Sequence, residues 1–397
     1  MPAPADLKSR AAAAVEANRE EILALSRAIH ADPEPAFEEH RAAARVAAAI
    51  AAHGYGVELP AGRLATAVRG RLAGGLGTVG PRIGVLAEYD ALPGLGHGCG
   101  HNTMAASGVG AAIALAAVRD SFAGEVVFLG TPAEERGSGK QFMLDDGLFD
   151  GLDAALLFHP ADRDMVHCIL LASEDVDVTF TGRAAHAASE PWEGRNALDA
   201  AVLLFEAIGL WRQQLPQHAR VHGIVLEGGT AANIIPDRAT ALFMIRSTEQ
   251  PTFESMRTRF RALVEGAALM ADVKGEVVFS GGSTTMKESR ILAGLWLANM
   301  QAHGLVDEGA DPDHIGSSDM GNVSLAIPTI HPSLAICDHG VPWHSVESLR
   351  AAATPRAEST TLAAATLVAE TALDLLADPP LVAAAWREFR GEGQEQG

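Results

Sequence analysis

The apolar positions at the start of the chain follow a helical pattern. Between residues 7 and 30, apolar side chains recur at the spacing of one face of an amphipathic helix. Asp32 and Pro33 end this helix, because the residue before a proline avoids the helical region. The same pattern predicts further helices over residues 38–52 and 103–118.

Short apolar runs predict strands between and after these helices. The runs cover residues 65–71, 82–88, 125–130 and 154–158. Because most of them lack a polar face and alternate with helices, they predict a mostly parallel sheet sandwiched by helices, an α/β fold. In such sheets, ligands bind in the loops at the carboxyl ends of the strands.

The pattern changes near Ser173 and predicts a second domain. The predicted order is strand 175–181, helix 196–213, strands 222–227 and 238–247, helix 252–271 and strand 275–280. This β-α-β-β-α-β order is typical of a ferredoxin-like domain. The sequence therefore predicts one domain formed by residues 1–172 and 290–397, with residues 173–289 inserted as a separate domain.

Composition narrows the class of protein. Hydrophobic residues make up 48% of the 397 residues, enough for a large core, and the formal net charge of −20 disfavours nucleic acid and anionic membranes as partners. Cys99, Cys168 and Cys337 are too few and too scattered for a disulfide framework. Without an apolar stretch of membrane-spanning length or a secretory signal pattern, the sequence predicts a cytoplasmic protein.

Cys99 and His101 form the strongest chemical signal. They stand in the segment GHGCGHN at residues 96–102, where alternating glycines let the backbone turn sharply and bring both side chains to one point. A thiolate and an imidazole at one loop tip can bind zinc or another borderline divalent metal. A glycine turn with an incidental histidine remains the alternative.

Carboxylates and another histidine follow later predicted strands. Glu134 and Glu135 come after the third strand, and His159 follows the fourth. Adjacent carboxylates at a buried strand end require a compensating cation. Because their side chains point in different directions, one can bind metal while the other serves as a base. A solvated acidic turn and a satisfied core histidine remain the alternatives.

Further histidines extend the candidate set. His344 follows a Gly/Pro turn, with His331 and His339 nearby as competing choices of ligand. His186 belongs to the inserted domain and is not assumed to be a ligand. Together, the Cys, His and Glu residues at strand ends supply ligands for two divalent cations, and Glu134 is not needed as a ligand. A free carboxylate beside two metals suits metal-assisted hydrolysis.

The order of these segments resembles the M20 family of metallopeptidases and amidohydrolases. The likeness is to the branch with aminoacylase-1-like protein 2, p-aminobenzoyl-glutamate hydrolase and indole-acetyl-amino-acid hydrolases. It rests on segments spread over nearly the whole chain: 88–93 (EYDALP), 98–102 (GCGHN), 132–135 (PAEE), 159–160 (HP), 182–186 (GRAAH), 233–237 (NIIPD), 317–321 (SSDMG) and 343–345 (WHS).

The resemblance implies a set of metal ligands. Cys99 resembles a thiolate that bridges two divalent ions in each protomer. His101 and His159 resemble the ligands of one ion, and Glu135 and His344 those of the other. Zinc or manganese is the expected metal, with cobalt or nickel as alternatives.

The resemblance also implies roles outside the ligand set. Glu134 resembles the general base for the attacking water, and Asp90 resembles a carboxylate that orients a ligand. His186 resembles a lid-domain histidine that reaches across a dimer to stabilise the tetrahedral oxyanion. Asn233 and Arg246 resemble residues that hold a substrate carboxylate.

The implied activity is hydrolysis of an amide C–N bond in a small N-acyl amino acid, dipeptide or related amide. The inserted domain would then act as a lid and dimerisation domain in a homodimer or higher homo-oligomer. Two alternatives remain open: hydrolytic deamination of an aromatic amine on the same scaffold, and a metal-binding homologue without catalytic activity. Cys168 and Cys337 receive no role.

Overall fold

The computed structural model describes residues 2–310 and 315–392, which divide into two compact units. The larger unit combines residues 2–168, 286–310 and 319–392, and the smaller unit combines residues 169–285 and 315–318. The smaller unit thus begins and ends four residues before the predicted insertion of residues 173–289. It also includes Gly316, which forms a bridge with Leu170.

Helices and strands are numbered along the whole chain. The helices are α1 (Ala5–Ala17), α2 (Arg19–Ala31), α3 (His40–Ala52), α4 (His101–Ala117), α5 (Gly139–Asp145), α6 (Ala197–Trp211), α7 (Gln250–Met270), α8 (Arg290–Ala302), α9 (Met320–Ser324), α10 (Val346–Ala351), α11 (Pro355–Ala377) and α12 (Pro379–Phe389). The strands are β1 (Gly56–Glu58), β2 (Val68–Ala73), β3 (Arg82–Glu88), β4 (Glu125–Thr131), β5 (Ala154–Leu156), β6 (His159–Ala161), β7 (Ala172–Thr181), β8 (Ala219–Glu227), β9 (Arg238–Ser247), β10 (Lys274–Ser283), β11 (Thr329–Ile330) and β12 (Ser333–Ala335).

The main sheet of the larger unit has the strand order β1-β2-β4-β3-β5-β11. Strands β4, β3, β5 and β11 are parallel, and β2 is antiparallel to both of its neighbours. Six consecutive residues of β3 are buried, so both faces of the sheet are covered. The predicted α/β class with a mostly parallel sheet is confirmed.

The register of β3 and β4 determines where their following loops meet. Glu88, the last residue of β3, lies opposite Thr131, the last residue of β4. The chain segments that follow these two strands therefore leave the sheet side by side, at its carboxyl edge. This edge carries Asp90 on one segment and Glu134 and Glu135 on the other.

Helix α4 packs closely against the sheet on one side and against helix α11 on another. A Cβ atom on Gly108 would lie 2.7 Å from the backbone oxygen of Leu86 in β3, and one on Gly110 would lie 2.8 Å from the Cβ of Ala365 in α11. Contrary to the expectation from the sequence, one helix, α11, is long and apolar enough to cross a membrane, but 78% of its apolar window is buried inside the protein. It is a core helix of the larger unit.

Two predicted elements differ from the structure. The single helix predicted over residues 7–30 is divided at Asn18, whose backbone leaves the helical region while its side-chain amide donates to the carbonyl of Ala14 at 2.8 Å. The strand predicted over residues 154–158 ends at Leu156, and the chain then forms β6, which pairs with β12.

The smaller unit has the β-α-β-β-α-β order that the sequence predicts. Its antiparallel sheet has the order β10-β7-β9-β8, with β8 and β10 at the edges. Alternate residues of β7, namely Val176, Val178 and Phe180, are buried in a separate apolar core that includes residues of α6 and α7. The unit therefore has its own core and the ferredoxin-like topology.

The close approach of α4 to β3 predicts opposite effects for two helical glycines. We expect Gly108→Ala to lower the free energy of unfolding by roughly 1–2 kcal/mol, because the clash with Leu86 outweighs the gain in helix propensity. Gly294 in α8 has nothing within 4 Å of an added Cβ, so Gly294→Ala should raise it by up to ~1 kcal/mol. Urea unfolding of both variants measures this; equal stabilisation would contradict the close packing.

Candidate metal centre

Gly100 forms the backbone turn that brings Cys99 and His101 close together. It precedes α4 with a φ of +79°, a conformation that favours glycine. An added Cβ would also lie 2.8 Å from the ring of Pro160. Glycine therefore allows the chain to turn between the two candidate ligands, and His101 becomes the first residue of the helix.

Asp90 fixes the orientation of His101. The Nδ1 atom of His101 lies 2.9 Å from the carbonyl oxygen of Asp90 and 3.1 Å from its Oδ1. Because both oxygens are acceptors, Nδ1 carries a proton, and Nε2 is the nitrogen that the neutral ring offers to a metal. The other carboxylate oxygen of Asp90 accepts from the backbone N–H of Glu135 at 2.8 Å. Asp90 thus has the geometry of an orienting carboxylate and links the loops after β3 and β4.

The five predicted ligands lie in two groups that share Cys99. One group contains Cys99, His101 and His159, the other contains Cys99, Glu135 and His344, and the donor atoms of each group lie within 4.8 Å of one another. The Sγ of Cys99 is 3.6 Å from Nε2 of His159, and Nε2 of His344 is 3.6 Å from Oε2 of Glu135. This arrangement can hold two ions with one sulfur between them.

The competing histidines have other partners. His339 pairs with Glu308 at 2.9 Å. His331 lies close to the centre, with its ring 5.4 Å from that of His159, but its Nδ1 donates to the carbonyl of Leu157 at 3.0 Å. Neither belongs to the two groups that contain Cys99.

The buried donor atoms of the centre favour the binding of cations. The buried atoms His101 Nε2, Glu135 Oε1 and Glu88 Oε2 have no hydrogen-bond partner among the described residues. Burial raises the pKa of the Cys99 thiol, and it raises the pKa of Glu135. Sulfur, nitrogen and oxygen donors that are buried together and unpaired suit borderline divalent metals, so the residues fit the two ions that the sequence predicts.

Glu134 lies beside the ligands but outside both Cys99 groups. Its Oε2 is 3.9 Å from Nε2 of His101, and its side chain is 9% exposed. Burial, together with the negative charge of Glu88, raises its pKa well above the ordinary value of a carboxyl group. A carboxylate that prefers to hold a proton, next to metal ligands, can take a proton from water and return it.

Glu39 supports the turn that carries Glu134. Its Oε1 accepts from the N–H of Ala133 at 2.8 Å, and its Oε2 accepts from the hydroxyl of Thr66 at 2.9 Å. Ala133 has a φ of +60°, an unusual conformation for alanine that this hydrogen bond helps to hold. No sequence signal points to Glu39, because it lies far from the turn along the chain.

Sequence reasoning also missed a buried charged group next to the ligands. Lys140 forms ion pairs with both Glu88 and Asp319, and all three side chains are almost completely buried. Glu88 and Asp319 lie in two of the motif segments, but neither received a role. Lys140 stands in α5, outside every motif, where a single lysine carries no recognisable pattern.

In the smaller unit, His186 and Asn233 lie on neighbouring loops. The backbone N–H of Ala187 donates to the carbonyl of Asn233 at 3.0 Å, and His186 forms a bridge with Ile234. The Nδ1 of His186 accepts from the N–H groups of Ala188 and Ser189 at 3.1 and 3.2 Å. Its neutral ring therefore carries the proton on Nε2, which can donate to an oxyanion.

Arg246 is not brought to these loops. Strand β9 begins at Arg238, just after the loop that contains Asn233, and Arg246 lies eight residues further along it. Eight residues of extended strand span roughly 26 Å. Its exposed side chain donates to the hydroxyl of Ser173 at 3.4 Å. The predicted joint role of Asn233 and Arg246 on one carboxylate is therefore not assembled at one end of this sheet.

Comparisons with known proteins support the family resemblance that the motifs indicate. A model of peptidase family M20/M25/M40 matches residues 84–331. The Xaa-Arg dipeptidase of Mus musculus is 36% identical over 410 residues, which cover 98% of this chain and 94% of that protein. A component of the p-aminobenzoyl-glutamate hydrolase of Escherichia coli (strain K12) is 35% identical over 300 residues, which cover 70% of this chain and 62% of that component.

A solved structure supports the same assignment of the fold. A dinuclear metal-binding peptidase of the M20 family from Bacillus subtilis matches with a TM-score of 0.71 at 20% identity, over 91% of this chain and 99% of that one. The structural match supports the fold, and the family model and relatives confirm the resemblance drawn from the motifs.

The shared position of Cys99 predicts a large effect on metal content. We expect Cys99→Ala to reduce bound metal from about two ions per chain to less than one, because both ligand groups lose their common donor. Cys168→Ala is the matched control, since Cys168 belongs to neither group. Elemental mass spectrometry of protein purified without chelator measures both. Unchanged metal content in Cys99→Ala would contradict the shared-ligand arrangement.

Proposed function

Because the chain belongs to peptidase family M20/M25/M40, we propose that it is a two-metal hydrolase that cleaves the amide C–N bond of a dipeptide or N-acyl amino acid. One observation carries the proposal: Cys99 is common to two ligand groups, and the buried carboxylate of Glu134 lies beside them without belonging to either. A purely structural metal site needs only its ligands and does not require this additional carboxylate.

Each residue of the centre has a distinct task in this proposal. Bound metals would polarise the amide carbonyl and make water acidic enough to attack it. His101 and His159 would hold one ion, Glu135 and His344 the other, and Cys99 both. We propose zinc or manganese, and the thiolate favours zinc between these two.

Glu134 moves the proton in this proposal. It takes a proton from the attacking water and delivers it to the leaving nitrogen, because an amine leaves more readily than an amide anion. Its burial supports this role, since a desolvated carboxylate is a stronger base than one in water. Asp90 keeps the proton of His101 on Nδ1 and so keeps the metal-binding nitrogen unprotonated.

The substrate class follows from the relatives and from the smaller unit. The names of the two relatives describe a dipeptide and an amide of glutamate, and both of these substrates carry a carboxylate near the cleaved bond. We propose a dipeptide or N-acyl amino acid with a free carboxylate. Asn233 and Arg246 would bind that carboxylate, and the Nε2 proton of His186 would stabilise the oxyanion.

A homodimer would reconcile these roles with the structure. Asn233 and His186 lie on loops near one end of the sheet of the smaller unit, whereas Arg246 lies towards the other. Two copies of the unit could bring both sets of residues to one substrate. The edge strand β8 supports such pairing, because Ile224, Val225 and Leu226 are 57%, 47% and 57% exposed.

The assignment of the base predicts a separation of binding from catalysis. We expect Glu134→Gln to keep about two metals per chain but to lose about 10³-fold or more in kcat, because glutamine cannot take up the proton. Glu38→Gln, which changes an exposed carboxylate, should keep normal activity. Hydrolysis of dipeptides, N-acyl amino acids and aryl amides is followed by amine release. Near-normal turnover by Glu134→Gln would refute this role.

The edge-strand dimer predicts a change in mass. We expect Ile224→Lys to convert a dimer into a monomer, because a buried lysine in a paired strand would be unsatisfied. Val278→Lys, at a site 59% exposed on the opposite edge strand β10, should leave the dimer intact. Light scattering after size exclusion measures the mass. A monomeric wild-type protein would refute the dimer proposal.

A further inference from the structure

Lys140 is a buried lysine that two carboxylates share. Its Nζ donates to Oδ1 of Asp319 at 2.5 Å and to Oε1 of Glu88. Its backbone N–H also donates to Oδ2 of Asp319 at 2.9 Å. The three side chains are at most 1% exposed, so the group buries one positive and two negative charges. Its net charge is −1.

The need for a counterion explains one of these carboxylates but not the other. Asp319 alone would neutralise Lys140, and it already holds both the ammonium and the backbone N–H of that residue. Burying a second carboxylate is unfavourable unless another cation faces it. Glu88 therefore requires an additional positive partner.

The free oxygen of Glu88 shows where that partner would be. Its Oε1 faces Lys140, but its Oε2 is buried without a hydrogen-bond partner among the described residues. This Oε2 lies 3.3 Å from Nε2 of His101, the ring nitrogen that does not contact Asp90. The donor atoms of Glu88, His101 and Glu134 lie within 4.8 Å of one another. A cation bound by His101 would face this oxygen.

We propose that Lys140 and Asp319 form a buried positioning pair for Glu88, and that Glu88 is an additional anionic group of the metal site built on His101. Lys140 holds one carboxylate oxygen of Glu88 and thereby aims the other at the metal-binding nitrogen. Asp319 holds Lys140 through two contacts, so that the ammonium cannot turn towards the metal site. This inference rests on the proposed two-metal function.

The experiment measures the affinity for zinc by competition with a chromophoric chelator, and does so in the full-length protein. We expect Glu88→Gln to weaken zinc binding roughly 10- to 100-fold, the range typical of groups that support metal ligands. The double variant Lys140→Met with Asp319→Asn should weaken it to a similar extent. This double variant keeps Glu88 and leaves the net charge of the three-residue group at −1. It removes only the ion pair that positions Glu88.

A second ion pair, between a partly buried lysine and a buried aspartate, supplies the control. Lys8 donates to Asp374 and Asn299, both at 2.7 Å, and these residues belong to none of the metal-ligand groups. Lys8→Met with Asp374→Asn removes the same kind of ion pair and should leave zinc affinity within about twofold of wild type. Urea unfolding of the metal-free variants separates lost stability from lost affinity.

The outcomes distinguish this inference from the proposed function. Wild-type zinc affinity in Glu88→Gln would overturn the inference, and wild-type affinity in the Lys140 and Asp319 double variant would overturn the positioning role. Equal weakening in the control double variant would show a general effect of stability and would also overturn it. A wild-type chain that binds no zinc would instead overturn the proposed function, whereas zinc binding without amide hydrolysis would overturn only the catalytic proposal.

Discussion

The parallel register of β3 and β4 is the constraint on which the candidate metal centre depends. Because Glu88 and Thr131 lie opposite each other at the ends of these strands, the next residues of both strands leave the sheet at one place. Asp90 then bonds both His101 and the backbone of Glu135, which joins the two loops. A shift of one residue in this register would displace the loop after β4 by about 3.3 Å along the loop after β3, and the hydrogen bond between Asp90 and Glu135 would be lost.

The sequence could predict the parts of the fold that depend on local pattern. Apolar runs located β3 and β4, and the change of pattern near Ser173 located the inserted unit, since strand and helix periodicities are properties of neighbouring residues. The division of the first helix at Asn18 was missed. There the pattern of apolar residues continues, and a single side-chain hydrogen bond decides the geometry.

The same distinction applies to the candidate site. Cys99 and His101 were recognisable because glycines surround them, and the structure groups them with His159, Glu135 and His344. Lys140 and Glu39 could not be found, since their importance comes from partners that are distant along the chain. The net charge of −20 was likewise uninformative about the ligand, because charges close to a bound ligand act on it more strongly than the sum over the whole chain.

The two carboxylate oxygens of Asp90 have a consequence for how the metals would be taken up. One oxygen bonds the histidine of the first ligand group, and the other bonds the backbone of the glutamate in the second. The conformational entropy of fixing Asp90, and of fixing the shared Cys99, is lost once rather than twice. If the chain binds two metals as proposed, an ion at one ligand group would therefore help to order the other group, and the two ions would be taken up cooperatively.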